Sequence, residues 1–394
     1  MSARRSDARG VSHRQALRFI LLLGGVSLLS DATYEGARSI TGPFLAVLGA
    51  TGTAVGVVAG LGELLGYGLR LASGILADRT RRYWAITIGG YCINLLAVPL
   101  LALAGRWETA AALMLAERAG KALRTPARDA MLSHAASGVG PGWGFGLHEA
   151  LDQVGAIAGP LAVAALISEH GNYRAAFAWL LVPALLALLT LAAARLAYPR
   201  PQDLEVEVTR IETGGLPRAF WIYVAGAGLM AAGYADFPLI AYHIEKNQVM
   251  PPGGIALLYS LAMAVDAVAA LVLGRIYDRV GLRVLAMAAA VSAGFAPLAF
   301  LGGRDHVIAG MLLWGFGMGA QESVLRAAVA GMVPPERRGT AYGVFNAGYG
   351  ACWFLGSALM GVLYDASVPL LVAFSLTAQL CAAGVFLSAR RQRS

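Results

Sequence analysis

The stretch Gly74-Ile75-Leu76-Ala77-Asp78-Arg79-Thr80-Arg81-Arg82 closes an apolar segment with a burst of charge, and 200 residues later the chain does so again. The echo reads Gly274-Arg275-Ile276-Tyr277-Asp278-Arg279-Val280-Gly281-Leu282-Arg283. A Gly, three residues, then Asp-Arg with further Arg beyond is a modest pattern when met once. Met twice, at matching places in two halves that are otherwise hydrophobic, it reads as a duplicated membrane unit.

Composition supports that reading. Of 394 residues 58% are apolar and only 14% charged, with a mean hydropathy of +0.63, whereas soluble domains carry about a quarter charged residues. Three cysteines, Cys92, Cys352 and Cys381, lie far apart inside apolar runs, which supports neither a disulfide framework nor a metal site. Arg4, Arg5, Arg9, Arg14 and Arg18 before Phe19–Leu29 imitate a signal peptide. The apolar run continues past Asp31 to Ala50 without a small-residue cleavage site, so it reads as a retained first span.

A span needs about 20 apolar residues to cross the hydrocarbon core. Six such runs fall before the middle, at 17–49, 52–77, 84–104, 109–133, 143–167 and 173–196, and six after it, at 219–243, 254–277, 282–302, 306–330, 340–363 and 368–388. Between them Tyr198–Arg218, with Pro199, Pro201, four acidic residues and Gly214-Gly215, is a polar linker. The expected architecture is therefore all-α and polytopic: an N-terminal six-helix bundle over 1–197, a linker over 198–218 and a C-terminal six-helix bundle over 219–394.

Arginine placement sets the expected orientation. One side collects the N-terminal arginines, Arg79, Arg81, Arg82, Arg195, Arg200, Arg210, Arg218, Arg279, Arg283, Arg337, Arg338, Arg390, Arg391 and Arg393; the other has Arg106, Arg174, Lys246 and Arg304. Both termini and the linker are expected to be cytoplasmic, in the inner membrane of a bacterium. The asymmetry accounts for most of the net charge of +8, so no nucleic-acid partner is needed.

The two Asp-Arg loops resemble the loop between the second and third helices of the major facilitator superfamily of secondary transporters, although Arg81 stands where a Gly is usual and the second copy keeps Gly281. In the fourth span, Arg118-Ala119-Gly120-Lys121-Ala122 is similar to that family's buried-arginine motif, with Lys121 for the usual glutamine and Ala122 for glycine. In the fifth, Gly155-Ala156-Ile157-Ala158-Gly159-Pro160 resembles the core of the motif of proton-driven exporters, lacking its earlier Gly and later Gly pair. A weaker echo links Gly144–Ala150 with Ala341–Ala347 at the starts of the fifth and eleventh spans. The resemblance implies two pseudo-symmetric bundles, a substrate near the midplane and alternating access. It points to a drug:proton antiporter-like exporter of a small charged or amphipathic organic solute, with proton-coupled uptake or uniport of an anionic solute as the second reading.

An ionisable side chain at the bilayer centre costs about 2.5–3.5 kcal/mol on insertion scales, so each one needs a partner or water. The first half holds Asp31, Tyr34, Glu35 and Arg38 in the first span, Glu63 and Arg70 in the second, Glu117, Arg118, Lys121, Arg124, Arg128 and Asp129 in the fourth, and His148, Glu149 and Asp152 in the fifth. The second half is sparser, with Asp236, His243, Asp266, Glu322 and Arg326, and adds Tyr234, Phe237, Tyr259, Trp314, Phe345, Tyr349 and Trp353. A pocket charged on one wall and aromatic on the other is expected. Asp31, Glu35 and the Glu149–Asp152 group are candidate proton or substrate sites, or else standing ion-pair partners of Arg38, Arg70, Arg118 and Lys121. Arg118 is expected to lead function or to pair with Glu35 or Glu149. The resemblance implies that Asp78, Arg79, Arg82, Arg128 and Asp129, with Asp278, Arg279 and Arg283, gate the cytoplasmic end.

No Walker sequence or other phosphate loop is present, and no nucleophile with an orienting group is evident. The chain is not expected to be an enzyme, nor to need a cofactor or metal. Its expected partners are a small solute, protons and lipid, and it is expected to act as a monomer.

Overall fold

Proline and glycine interrupt the apolar runs at defined points, and the helices break there. The computed structural model describes residues 13–137, 139, 141–199, 216–333 and 338–390. Most of the linker, the terminal arginines outside these ranges, Arg337, and the side chains of Asp78 and Arg326 lie outside the described residues.

Among the described residues every regular element is helical. The first half comprises α1 (His13–Val47), α2 (Gly52–Thr80), α3 (Tyr83–Leu100, prolonged by a 3-10 turn), α4 (Trp107–Ser137), α5 (Pro141–His170), α6 (Tyr173–Trp179) and α7 (Leu181–Ala197). The second comprises α8 (Arg218–Ala232), α9 (Phe237–Lys246), α10 (Pro252–Val280), α11 (Arg283–Ser292), α12 (Phe295–Leu301), α13 (Arg304–Gly319), α14 (Leu325–Met332), α15 (Arg338–Ala366) and α16 (Val368–Arg390).

Four spans read as continuous are in fact divided. The sixth breaks between α6 and α7, where Pro183 lacks the N–H that would bond to Trp179. The seventh breaks over Gly233–Asp236 ahead of Pro238, the ninth at Gly294, and the tenth passes through a π turn, Ala320–Val324. Among the described residues ten stretches are long and apolar enough to cross a bilayer. The fourth span, α4, with its many charges, and the tenth, divided between α13 and α14, fall outside that set by composition and length, and both complete their bundles. The result is a multi-pass membrane protein of two six-helix bundles.

Within the first bundle α1 packs on α5 and α7, and α4 on α2 and α3; within the second α10 packs on α13, and α8 on α15 and α16. Gly155 and Gly159 lie against the carbonyls of Leu28 and Ala32, so closely that a Cβ at either would collide with α1. The Gly-x-x-x-Gly-Pro stretch is thus a close helix seam.

The bundles meet along α2 with α15, α5 with α10, and α1 with α9. Small residues line these seams: Gly56 and Gly60 against Ser357 and the α15 backbone, Gly42 against Pro238, Gly253 against Ser168. All lie toward the arginine-poor end, where further bonds close the joint. The Asp365 carboxylate accepts from Gly52 N (2.9 Å), Thr53 N (2.7 Å) and Thr53 Oγ1 (2.7 Å), at the N-terminus of α2. The Tyr242 hydroxyl donates to the Ala50 carbonyl at 2.9 Å, and Tyr173 to Glu245 Oε2 at 2.8 Å. At the arginine-rich end Leu71, Leu76, Phe145, Leu271 and Val280 are exposed.

Candidate functional site

Side chains from α1, α2, α4, α9 and α10 converge just beneath this sealed end. Arg38 on α1 reaches Glu63 on α2 at 3.2 Å and, across the bundle boundary, Asp236 at 3.7 Å. Arg118 on α4 reaches the same Glu63 at 3.3 Å and its neighbour Glu117 at 3.5 Å. Two guanidiniums therefore share one carboxylate. Asn94 of α3 donates to Glu117 Oε1 at 2.7 Å and to its carbonyl at 3.1 Å. Lys121, one turn below Arg118, stands 4.0 Å from Glu35 and 3.8 Å over the Tyr34 ring.

The second bundle closes the site with Asp236, Tyr259 and Trp353. Asp236 sits at the break between α8 and α9, which lets its carboxylate accept from Trp353 Nε1 (3.0 Å) and Ser357 Oγ (2.6 Å). Tyr259 of α10 donates to Glu35 Oε2 at 2.5 Å. The aromatics named from sequence form one connected stack behind these groups. Trp314 meets Tyr234, Phe237 and Tyr259, Phe237 meets Tyr259, Tyr234 meets Trp353, and Phe345, Tyr349 and Trp353 continue the stack. Tyr234 also donates to the Trp314 carbonyl, and Tyr349 to Gln321 Oε1 at 2.8 Å. Tyr67 of α2 packs edge-on to Tyr349, with Arg70 over its ring. The charged wall and the aromatic wall both exist, and they touch.

Among the charged groups lies a cavity of about 40 Å³ lined by Tyr34, Arg38, Thr41, Glu63, Glu117, Arg118, Asp236 and apolar neighbours; the stacked aromatics do not line it, so the expected pocket with one aromatic wall is not what forms here. The cavity has room for roughly three waters, and in this conformation the charges occupy one another. Three cations, Arg38, Arg118 and Lys121, face four carboxylates, Glu35, Glu63, Glu117 and Asp236. One carboxylate in this set is in excess of the cations.

A second polar group lies in the first bundle nearer the arginine-rich end. Arg128 bonds Asp129 Oδ1 at 2.8 Å and Ser27 Oγ at 3.1 Å; Ser27 also lies 3.4 Å from His148 Nε2, and His148 Nδ1 is 3.6 Å from Asp152. Asp31 is buried within reach of the charges of Asp152, Lys121 and Arg124.

Several expectations change. Arg118 pairs with Glu63 and Glu117, not with Glu35 or Glu149. Glu149 is exposed and, among the described residues, forms no ion pair, because it falls on a different face of α5 from buried His148. Glu322 is also exposed, on the π turn. Arg79, Arg82, Asp278, Arg279 and Arg283 are exposed at the arginine-rich end and form no ion pair among the described residues, while Arg128 and Asp129 pair with each other. Asp266 is buried, apart from the charged cluster. His243 bonds the Tyr364 hydroxyl at 3.1 Å near the sealed end.

Some participants were not singled out from sequence. Asn94 gave no signal inside its apolar run, and Asp365 falls between the eleventh and twelfth spans. Arg124, 1% exposed and stacked 4.1 Å over Tyr91, was visible only as one charge among many in α4.

Comparison with known proteins agrees with this architecture. An uncharacterized protein of Mycobacterium tuberculosis is 45% identical over 96% of this chain and 94% of its own length, and an uncharacterized MFS-type transporter of Methanocaldococcus jannaschii is 24% identical over 90% of each. Among solved structures, a variant of the nucleoside transporter NupG superposes with a TM-score of 0.77 at 14% identity, covering 94% of this chain and 99% of that one. A bacterial homolog of the human lysosomal transporter Spinster, inward-facing and occupied, gives 0.71 at 16% identity, covering 94% and 96%. The sequence model described as Major Facilitator Superfamily matches residues 27–235 and 222–393. The chain therefore belongs to the Major Facilitator Superfamily.

Proposed function

We propose that this secondary transporter exports a small charged or amphipathic organic solute in exchange for protons, and that the solute binds where Arg38 and Arg118 share Glu63. The observation that carries this reading is the pairing of those charges across the bundle boundary, through Asp236 and Tyr259, directly below a sealed end. By the arginine asymmetry the sealed end faces outward. The conformation then opens inward, and both termini lie in the cytoplasm. The bundles rock about the α2–α15 and α5–α10 seams, so that the cluster meets each side in turn.

A charged solute entering from the cytoplasm exchanges with these internal pairs. A cation competes with Arg38 for Asp236 and Glu63; an anion takes the two guanidiniums. Either exchange loosens the link between bundles that Arg38 makes with Asp236. On the inward-opening path, Asp31, Glu35, Asp152 and Lys121 would pass protons or solute, Asp78, Arg79 and Arg82 would form a gate with Arg128 and Asp129, and Asp278, Arg279 and Arg283 would mirror it. The two converging guanidiniums favour uptake of an anionic solute as the second reading.

The test is transport by purified protein in liposomes with an imposed pH gradient, screened against pools of organic cations, anions and amphipathic compounds. Export predicts accumulation driven by an outward-directed proton gradient and abolished by Arg118→Ala. Accumulation driven by the opposite gradient selects uptake, and equilibration indifferent to any pH gradient rejects proton coupling.

A further inference from the structure

Asp266 differs from Asp236, the other buried carboxylate described in the second bundle. It is 2% exposed, yet among the described residues it forms no hydrogen bond and no ion pair, and its Oδ1 is buried without a partner. Asp236, equally buried, is held by Arg38, Trp353 and Ser357. Among the described residues the charged groups whose fields reach Asp266 are Glu322 on the π turn, Glu35 on α1 and Glu149 on α5, all acidic; the side chain of Arg326, one turn beyond Glu322, lies outside the described residues. Among the described residues the remaining titratable neighbour is Tyr234, in the break between α8 and α9. Burying an ionised carboxylate without a counter-charge costs several kcal/mol, and three acidic neighbours add to that. A neutral acid avoids the cost.

Its position gives the proton a use. Asp266 follows Tyr259 by seven residues, two turns along the same face of α10. Tyr259 donates to Glu35 of the first bundle, and Ser260 donates to the Ile157 carbonyl of α5 at 2.9 Å. Asp266 is thus the next buried polar group on this helix after the bonds that join the bundles, on the arginine-rich side. The backbone behind it is fixed by Gly319, where a Cβ would meet the Asp266 carbonyl and the Ala270 amide. The π turn that begins after Gly319 places Glu322 on the same side.

We propose that Asp266, rather than a carboxylate of the first bundle, holds the coupling proton. The inference rests on the proton-coupled reading above and assigns its site. An O–H bond forms on the Asp266 carboxylate with a proton from water on one side of the membrane, and breaks to water on the other side after the bundles have moved. Held as the neutral acid, Asp266 lets α10 lie against Glu35 and Glu149. Once ionised it faces like charges on two helices of the other bundle, and the joint at that level opens.

The experiment is infrared difference spectroscopy of the full-length protein in lipid, reading the carbonyl stretch of protonated carboxyl groups as bulk pH is changed. A pH-sensitive band is expected in the wild type, lost in Asp266→Asn and retained, shifted in frequency, in Asp266→Glu. Asp31→Asn and Glu117→Gln should leave it in place. A band that survives Asp266→Asn, or that disappears in Asp31→Asn, overturns the assignment. Should Asp266→Asn misfold, Asp266→Glu alone decides, because a band belonging to another residue will not shift. This readout uses protons as its only ligand. Failure of pH-driven transport in liposomes would sink the exporter reading while leaving the residence of the proton on Asp266 separately measurable.

Discussion

The two bundles carry the same Asp-Arg pattern at matching places, yet their polar groups are arranged very differently. The first carries its polar groups as a mesh of opposite charges in which Glu63 serves two arginines and Glu117 is held by Arg118 and Asn94. The second carries an aromatic stack and two isolated acids, one tied down at Asp236 and one bare at Asp266. A mesh can exchange internal partners for a solute at small net cost, because each broken pair leaves another nearby. A rigid aromatic wall cannot exchange partners, but it fixes the height and angle of the few polar groups it presents. In the proposed mechanism recognition is thereby concentrated in the first bundle and leverage in the second.

This contrast is broken most directly by removing one charge. Arg38→Ala leaves Glu63 and Asp236 buried with one cation fewer, and loss of one partner of a buried pair costs about 3–5 kcal/mol. A large fall in Tm in detergent and loss of transport are expected, with part of the stability restored by adding Glu63→Gln. Tyr349→Phe, which removes only the bond to Gln321 from the aromatic wall, should cost about 1 kcal/mol. Equal losses from the two substitutions would abolish the distinction between mesh and wall.

A smaller effect is expected where the second bundle grips the first. Asp365 places a carboxylate on the amides of Gly52 and Thr53 at the start of α2, and a negative charge at a helix N-terminus contributes about 1 kcal/mol. Asp365→Asn should therefore shift the balance roughly fivefold toward the state open at the arginine-poor end. The shift can be read as faster maleimide labelling of Val58→Cys, a buried cavity-lining position, in a background with Cys92, Cys352 and Cys381 replaced. Unchanged labelling would mean that the glycine seams alone hold this end closed.

The fold was legible in the sequence because it rests on signals that each segment carries by itself. Apolar run length placed the spans, and the Asp-Arg echo exposed the repeat. The candidate site was legible only in its residue types. Which carboxylate meets Arg118 depends on the rotation and relative height of α2, α3 and α4, and periodicity along one helix does not fix either. The same holds for Asp365, whose partners lie more than 300 positions away. Glu149 shows the converse failure, since adjacency to His148 in sequence places the two side chains on different faces of α5.

The smallest predicted effect compares the two copies of the repeat at the loop that revealed them. Both α2 and α10 end on a residue with positive φ, at Arg81 (φ 53°, ψ 20°) and Gly281 (φ 63°, ψ −144°). Arg81 occupies the left-handed helical region, which an L residue enters at a cost of about 1–2 kcal/mol, and it stands where the other copy has Gly. Arg81→Gly should thus raise stability by up to about 1 kcal/mol, the gain being offset in part by the extra freedom glycine has in the unfolded chain. Gly281 is different, because at its ψ a Cβ meets the backbone and only glycine is comfortable there. Gly281→Ala should cost more than Arg81→Gly gains, and thermal unfolding of the two variants in the same detergent measures both. If the two copies were conformationally equivalent, the two substitutions would be equal and opposite; the difference in ψ predicts that they are not.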